Sequence, residues 1–353
     1  MARRTLVARP HAVRYGTCMK IVIATGIFPP EIGGPAFYSK NLSEALINQG
    51  HDVRVVLYGS LKTLPSGLRH LLYTFKLIRY AFGAHAIIAF DTYSVGLPAA
   101  IASIITRTPV IIRIGGDFIW EMYTERTGDL LPLPAIYSER GRWGSKERFI
   151  FRVQQWVIPR VNLAFSCEWI RDIWKDVYKF DAVQAHVIEN PIPPKLESKR
   201  PTRKNFAFYT RQIALKNNEA FRQAFTRAKN LHPDIELEEG MVPKDELMRR
   251  MQECYAVVLP SISDVTPNYI IDAIRCGKPF LLTKHSGYAE RFKDYGVIVD
   301  PQSEEDMTRG VMALCEEKTY HMYKERIDAF KEVRTFDDIA QDFVAIIEPS
   351  RAS

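Results

Sequence analysis

Two aspartates eight residues apart are the strongest candidates for chemistry in this sequence. Asp264 ends the loop after an apolar strand-like segment, and Asp272 lies on the helix predicted for residues 268–276. This spacing places both near the mouth of a cleft, where carboxylates can accept hydrogen bonds from sugar hydroxyls. The simpler interpretations are helix capping for Asp264 and a solvated helix face for Asp272.

A pair of cations forms a second candidate site. Arg211 and Lys216 lie five residues apart in a predicted loop between a strand and a helix. The planar fork of an arginine and the point charge of a lysine together suit a diphosphate. Ordinary surface charge is the alternative interpretation of these two residues.

A glycine pair lies between the first predicted strand and the first predicted helix. Gly33 and Gly34 would let a phosphate or a substrate approach backbone N–H groups at the positive end of that helix. The loop lacks the G-x-G-x-x-G pattern, and the second strand lacks the terminal acid that holds a nicotinamide ribose. We therefore predict no dinucleotide cofactor, and a tight turn without a ligand is the alternative.

The elements that position these residues follow from the hydrophobic pattern. Apolar strands alternate with amphipathic helices in two series, which predicts an α/β fold with two doubly wound parallel, Rossmann-like sheets. The carboxyl ends of the strands of both sheets then face one cleft. The predicted strands are 21–24, 53–57, 86–90, 110–114, 163–166 and 187–188, followed by 206–209, 235–237, 256–259, 280–283 and 297–299.

The length of 353 residues favours two domains. We expect an N-terminal domain over 19–190, a proline-rich linker over 191–205, a C-terminal domain over 206–335, and a terminal segment over 336–353 whose helix returns to the first domain. Residues 1–18 contain four arginines and no acid, and are expected to be a disordered extension.

Composition excludes several classes of protein. With 46% hydrophobic and 25% charged residues, the chain reads as a soluble globular protein. The longest uncharged run, 92–106, is interrupted by Pro98, so no transmembrane helix is expected. The five cysteines are scattered and form no C-x-x-C pair, which predicts neither a disulfide framework nor a zinc site and favours the cytoplasm.

The net charge of +7 is concentrated in the first part of the chain, where residues 1–199 hold 25 Lys and Arg against 16 Asp and Glu. An anionic substrate or membrane surface fits this asymmetry, whereas no sequence pattern indicates nucleic-acid binding. A run of apolar residues interleaved with Arg69, Lys76 and Arg79 suggests peripheral binding to an anionic membrane at its inner face, and core burial is the alternative. The apolar residues of this run are Leu68, Leu71, Leu72 and Phe75.

Taken together, these motifs resemble glycosyltransferase family 4, the retaining GT-B group of nucleotide-sugar enzymes, over almost all of residues 20–347. By this resemblance, Arg211 and Lys216 hold the donor diphosphate, Asp264 binds the donor sugar and Asp272 binds the nucleotide ribose. The remaining donor-site residues implied are Gly33, Gly34, Asn268 and Tyr269. The resemblance implies neither a metal ion nor a cofactor, and the absence of an Asp-x-Asp string agrees.

Several departures from the family pattern are visible. Both acids are glutamates in the family and aspartates here, and Val265 replaces a glycine. The histidine expected after the fourth strand is absent from a Gly-Gly-Asp-x-x-Trp-Glu string, in which Gly116 occupies its position. Asp117 is then the nearest candidate for a polar, catalytic role at the acceptor.

The expected function is the transfer of a sugar from a nucleotide-diphosphate sugar to a hydroxyl of a saccharide or lipid-linked acceptor, with retention of configuration. The N-terminal domain then binds the acceptor and the C-terminal domain the donor. The alternatives are a nucleotide-sugar binding protein that has lost catalysis, or a GT-B sugar epimerase or phosphorylase.

Overall fold

The computed structural model describes residues 17–31, 33–61 and 63–348, and its strands form two parallel sheets. The first sheet contains β1 (Lys20–Thr25), β2 (Asp52–Leu57), β3 (Ala86–Ala89), β4 (Val110–Ile114), β5 (Asn162–Phe165) and β6 (Ala185–Val187), in the order β2-β1-β3-β4-β5-β6. The second contains β7 (Lys204–Phe208), β8 (Ile235–Glu239), β9 (Ala256–Leu259), β10 (Phe280–Thr283) and β11 (Val297–Val299), in the order β11-β10-β9-β7-β8. The predicted fold class is confirmed.

Helices connect the strands along the whole described chain. Those of the first part are α1 (Gly34–Asn48), α2 (Ser66–Ala81), α3 (Gly96–Thr106), α4 (Phe118–Thr127), α5 (Leu133–Ile136), α6 (Ser145–Val157) and α7 (Glu168–Tyr178). Those of the second part are α8 (Asn218–Leu231), α9 (Lys244–Glu253), α10 (Asn268–Arg275), α11 (Ala289–Phe292), α12 (Glu304–Cys315), α13 (Glu317–Ala329) and α14 (Phe336–Ile347). None of the helices in the described ranges is long and apolar enough to cross a membrane.

The central strands are mostly apolar because helices cover the sheets on both faces, with the buried Arg113 of β4 as an exception. Every residue of β3, β4 and β9 is buried. One continuous hydrophobic cluster includes residues from both sheets, so the two halves of the molecule pack against each other. The carboxyl edges of the sheets meet directly: the Leu133 N–H donates to Ser263 Oγ at 3.0 Å, and Thr266 Oγ1 donates to Ser166 Oγ at 2.9 Å.

The last helix, α14, packs on the first sheet although it follows the second in the chain. Ile339 and Phe343 share a buried cluster with Ile21 of β1 and Leu42 of α1. Thr335 caps α14 through a reciprocal capping box with Asp338, which fixes where the helix begins.

The sequence also predicts an N-terminal extension and a proline-rich linker between the two domains. Residues 1–16, most of the expected N-terminal extension, lie outside the described residues. In the proline-rich stretch, Ile192 forms an antiparallel bridge with Arg334, and the Leu196 N–H donates to the Arg275 carbonyl at 2.8 Å.

Candidate functional site

The candidate site lies where the strand order of the second sheet reverses. The loops that follow β7 and β9 leave the sheet in opposite directions, which opens a crevice at the carboxyl ends of these strands. Arg211 and Lys216 belong to the first loop and Asp264 to the second. The structure therefore brings these three sequence candidates to one crevice.

Within the crevice, Lys216 and Asp264 form an ion pair. Lys216 Nζ donates to Asp264 Oδ2 at 2.8 Å, and only 20% and 14% of the two side chains are exposed. Arg211 is exposed and makes no ion pair with any residue in the described ranges. Because Asp264 pairs with Lys216 alone, the guanidinium of Arg211 is available to an anionic ligand.

Local backbone geometry places both members of this ion pair. Asn217, next to Lys216, has a left-handed φ of 61° and donates its side-chain amide to the Pro301 carbonyl at 2.7 Å. On the opposite loop, the Asp264 N–H donates to the His285 carbonyl at 3.0 Å. Gly287 packs closely against the loop that carries Asp264. A Cβ at residue 287 would lie 2.2 Å from the Val265 carbonyl oxygen, so a larger residue would displace this loop.

Asp272 lies on α10 and is engaged by different cations from Asp264. Arg275 Nη1 donates to Asp272 Oδ1 at 2.9 Å, and Lys244 Nζ donates to Oδ2. The side chain of Lys244 is 62% exposed, whereas that of Asp272 is only 11% exposed. A hydroxyl that binds Asp272 must therefore compete with an exposed lysine.

The first turn of α10 carries the other two donor-site candidates. Asn268 is exposed, and its Oδ1 accepts from Asn190 Nδ2 at 2.9 Å, which links the two halves of the molecule. The Tyr269 hydroxyl is already used: it accepts from the Tyr209 N–H at 3.0 Å and donates to the Ala207 carbonyl at 3.2 Å. Tyr269 thus anchors α10 to the end of β7, and its burial raises the pKa of the phenol.

Two helices begin at the cleft without a side-chain cap. Gly33 precedes α1 and Pro267 precedes α10, and neither supplies a hydrogen bond to the first turn. At α10, the N–H groups of Asn268 and Ile270 donate to the Thr266 and Pro267 carbonyls at 2.8 and 2.9 Å. The start of α1 is therefore the better place for an anion to bind backbone N–H groups. A Cβ on Gly33 would lie 2.8 Å from Ile27 Cδ1, whereas Gly34 has open space around its Cα.

Asp117 occupies a different environment from the one that its sequence position suggested. It has no exposed surface, and its side chain caps α4 by accepting from the Trp120 N–H at 3.0 Å. Its Oδ2 accepts from the Tyr137 hydroxyl at 2.5 Å and from Trp174 Nε1 at 2.9 Å. Because burial raises the pKa of this carboxyl despite these donors, Asp117 is an interior group that holds α4 in place.

Glu121, one turn further along α4, faces the cleft, and sequence reasoning did not single it out. Its side chain is accessible to water yet enclosed by protein on most sides, as expected for a group inside a cleft. The enclosure raises the pKa of Glu121, and the Asp117 and Asp264 charges raise it further, against the opposing effect of Arg211 and Lys216. These electrostatic neighbours place Glu121 opposite the Lys216–Asp264 pair.

A polar cavity of about 400 Å³ lies elsewhere, beside the amino end of β7. Arg203 in its wall is already bonded to Glu238, and Arg249 to Glu246 and Glu253. This cavity therefore offers little uncompensated charge to a ligand, and the crevice remains the better candidate.

The apolar run on α2 is solvent-exposed, so the core-burial alternative is wrong for these four residues. Their exposed fractions are 45% for Leu68, 53% for Leu71, 40% for Leu72 and 61% for Phe75. The buried face of α2 is formed instead by Tyr73 and Leu77.

Two parallel sheets that face each other across a cleft of this kind define the GT-B fold, and the similar solved structures agree. They include sucrose-phosphate synthase from Thermosynechococcus elongatus, with a TM-score of 0.69 and 12% identity over 95% of this chain and 99% of that one. Alr3699/HepE from Anabaena in complex with UDP-glucose has a TM-score of 0.62 and 14% identity over 95% and 98%. A glycosyltransferase from Rickettsia africae ESF-5 has a TM-score of 0.64 and 10% identity over 95% and 99%.

Sequence comparison adds a match to part of the chain. Residues 216–331 match the family model described as glycosyl transferases group 1. This segment begins at Lys216, contains Asp264 and Asp272, and includes four of the five strands of the second sheet. No curated protein sequence matches the chain.

Proposed function

We propose that this protein is a retaining glycosyltransferase of family 4 that moves a sugar from a nucleotide-diphosphate sugar to an acceptor hydroxyl. The observation that carries the proposal is the Lys216–Asp264 pair at 2.8 Å, with exposed Arg211 in the same loop, in the crevice of a GT-B fold. The group 1 glycosyl transferase match over the same segment supports it. UDP-glucose is the first donor to test, because Alr3699/HepE binds it.

Donor binding would rearrange the charges in the crevice. A diphosphate between Arg211 and Lys216 competes with Asp264 for the lysine. Asp264, released from Lys216, can then accept hydrogen bonds from hydroxyls of the donor sugar. Asp272 would exchange Lys244 for a ribose hydroxyl.

The reaction breaks the bond between the anomeric carbon and the phosphate oxygen, whose electron pair remains on the diphosphate. Arg211 and Lys216 would stabilise that charge, and one preorganised group of this kind contributes about 3 kcal/mol in other enzymes. No metal ion has a part in this scheme, and the described residues contain no cluster of three metal-ligating side chains.

We further propose that α2 places the enzyme on an anionic membrane, at its inner face, where a lipid-linked acceptor would lie; a soluble saccharide is the alternative acceptor. The exposed Leu71 and Phe75 would enter the headgroup region, and Lys76 and Arg79 would meet anionic lipids. Between Asp52 and Asp91 the chain contains no acidic residue, which favours this charge match.

Flotation with vesicles of phosphatidylglycerol and phosphatidylcholine tests the membrane proposal. Phe75→Ser should reduce the bound fraction several-fold, whereas Ile47→Ser, which removes another exposed apolar side chain, on α1, should not. Absence of wild-type binding at low and physiological salt would contradict the proposal.

Donor identity and catalysis are tested in two steps. A thermal-shift panel of UDP, GDP, ADP and their sugars should identify one nucleotide series that raises the melting temperature. Slow donor hydrolysis without acceptor would then support the transferase over a binding protein that has lost catalysis. A product with the sugar epimerised, or phosphorolysis with inorganic phosphate, would favour the epimerase or phosphorylase instead.

A further inference from the structure

Glu121 combines exposure to the cleft with a fixed position. Helix α4 begins at Phe118, directly after the interior Asp117 cap, and buries Ile119, Trp120 and Tyr123. The Trp120 indole donates to the Leu131 carbonyl at 2.7 Å, which fixes the rotation of the helix. The opposite face of α4, which bears Glu121, therefore points toward the cleft.

The carboxylate of Glu121 lies close to the end of β4. A Cβ on Gly116 would be 3.2 Å from Glu121 Oε1, so the absence of a side chain at residue 116 leaves room for this oxygen. The carboxylate thus occupies the floor of the cleft on the side of the first sheet, opposite the cations of the second.

The Glu121 carboxylate makes no hydrogen bond or ion pair with the residues in the described part of the chain, although Arg211 and Lys216 act on its charge. The other carboxylates nearby are engaged. Asp117 accepts three hydrogen bonds in the interior, and Asp264 pairs with Lys216. Glu121 is therefore the carboxylate in this group whose oxygens are available to a substrate.

We propose that Glu121 is a catalytic residue that accepts the proton of the attacking hydroxyl, an inference that rests on the proposed sugar transfer. The hydroxyl oxygen forms a bond to the anomeric carbon on the face from which the diphosphate departs, so that the configuration is retained, as the bond from that carbon to the phosphate oxygen breaks. The electron pair of the broken bond stays on the diphosphate, near Arg211 and Lys216. The hydroxyl proton passes to Glu121 and from there to solvent.

The raised pKa of Glu121 suits this role, because a carboxylate that is more basic than usual is a better proton acceptor near neutral pH. The sign of the pH dependence follows. Turnover should fall as the pH drops through this raised pKa, since protonated Glu121 cannot accept the proton.

The test compares wild type with Glu121→Gln and a matched control, Glu125→Gln, which changes an exposed glutamate on the same helix. The probe is UDP-glucose, with water as the acceptor, followed by UDP release. Glu121→Gln should slow turnover at least a hundredfold and abolish its acid limb, because general bases contribute about 10² to 10⁴ in rate. Glu125→Gln should match wild type in both.

Nucleotide binding separates this proposal from the function on which it rests. Glu121→Gln removes a negative charge that faces the diphosphate site, so calorimetry should show UDP bound as tightly as in wild type, or a few-fold more tightly. Wild-type turnover and an unchanged pH profile in Glu121→Gln would overturn the proposal while leaving the transferase intact. A wild type that neither binds nor cleaves any sugar of the UDP, GDP and ADP series would instead overturn the function itself.

Discussion

Replacement of Asp117 by alanine should destabilise the protein without touching the donor site. The change removes the α4 cap, a loss of about 1 kcal/mol. It also leaves the Tyr137 hydroxyl and the Trp174 indole N–H, both buried, without their carboxylate acceptor, at about 1 to 3 kcal/mol each. Burial of the ionised carboxylate is itself unfavourable, so its removal offsets part of this loss of stability. We expect a net decrease of about 3 kcal/mol in the free energy of unfolding.

Urea denaturation followed by tryptophan fluorescence measures this loss, since Trp120 and Trp174 both contact Asp117. The exposed Glu125 provides the control, and Glu125→Ala should stay within about 0.5 kcal/mol of wild type. The raised pKa of Asp117 sets the pH dependence: the advantage of wild type over Asp117→Ala should be largest at low pH and decline as the pH rises through that pKa. A loss below 1 kcal/mol, or the opposite pH trend, would refute the assignment of Asp117 to the interior.

Three further predictions concern the crevice. Lys216→Ala should lower turnover by roughly a hundredfold through the loss of one preorganised charge, and a change below about threefold in steady-state rates would place Lys216 outside the site. In calorimetry, Asp264→Ala should weaken binding of the nucleotide sugar but not of the free nucleotide. Asp272→Ala should weaken binding of both ligands by about 1.5 to 3 kcal/mol. Equal losses for both ligands in both variants would reject separate roles for Asp264 at the sugar and Asp272 at the ribose. Activity should survive EDTA, because the phosphate charge meets Arg211 and Lys216, and full loss restored by one divalent metal would show otherwise.

The strands could be predicted from sequence because a parallel sheet covered on both faces requires runs of apolar residues. Strands β4, β9, β10 and β11 were predicted with the bounds that the structure shows. The polar ends of strands could not be predicted from the apolar pattern. Strand β2 begins at Asp52 and β7 at Lys204, because backbone pairing continues beyond the apolar run.

The site could be predicted only where position along a strand-loop-helix unit determines it. Arg211, Lys216 and Asp264 follow neighbouring strands, so the fold alone brings them to one edge. The partners of Asp272 depend on how α9 packs on α10, which periodicity does not specify. For Asp117, the position immediately before a helix is the signature of a cap, and the structure shows that cap. No sequence signal indicated that Glu121, one turn further along α4, faces the cleft.

The most direct test of the account is nucleotide release from nucleotide sugars by the purified protein and by the double variant Arg211→Ala/Lys216→Ala. Wild type should release nucleotide diphosphate from at least one member of the UDP, GDP and ADP sugar panel. The double variant should be slower by a hundredfold or more, whereas Lys229→Ala, which removes an exposed cation on the neighbouring helix α8, should match wild type. Equal rates in wild type and the double variant, or no release by wild type from any sugar in the panel, would contradict the account.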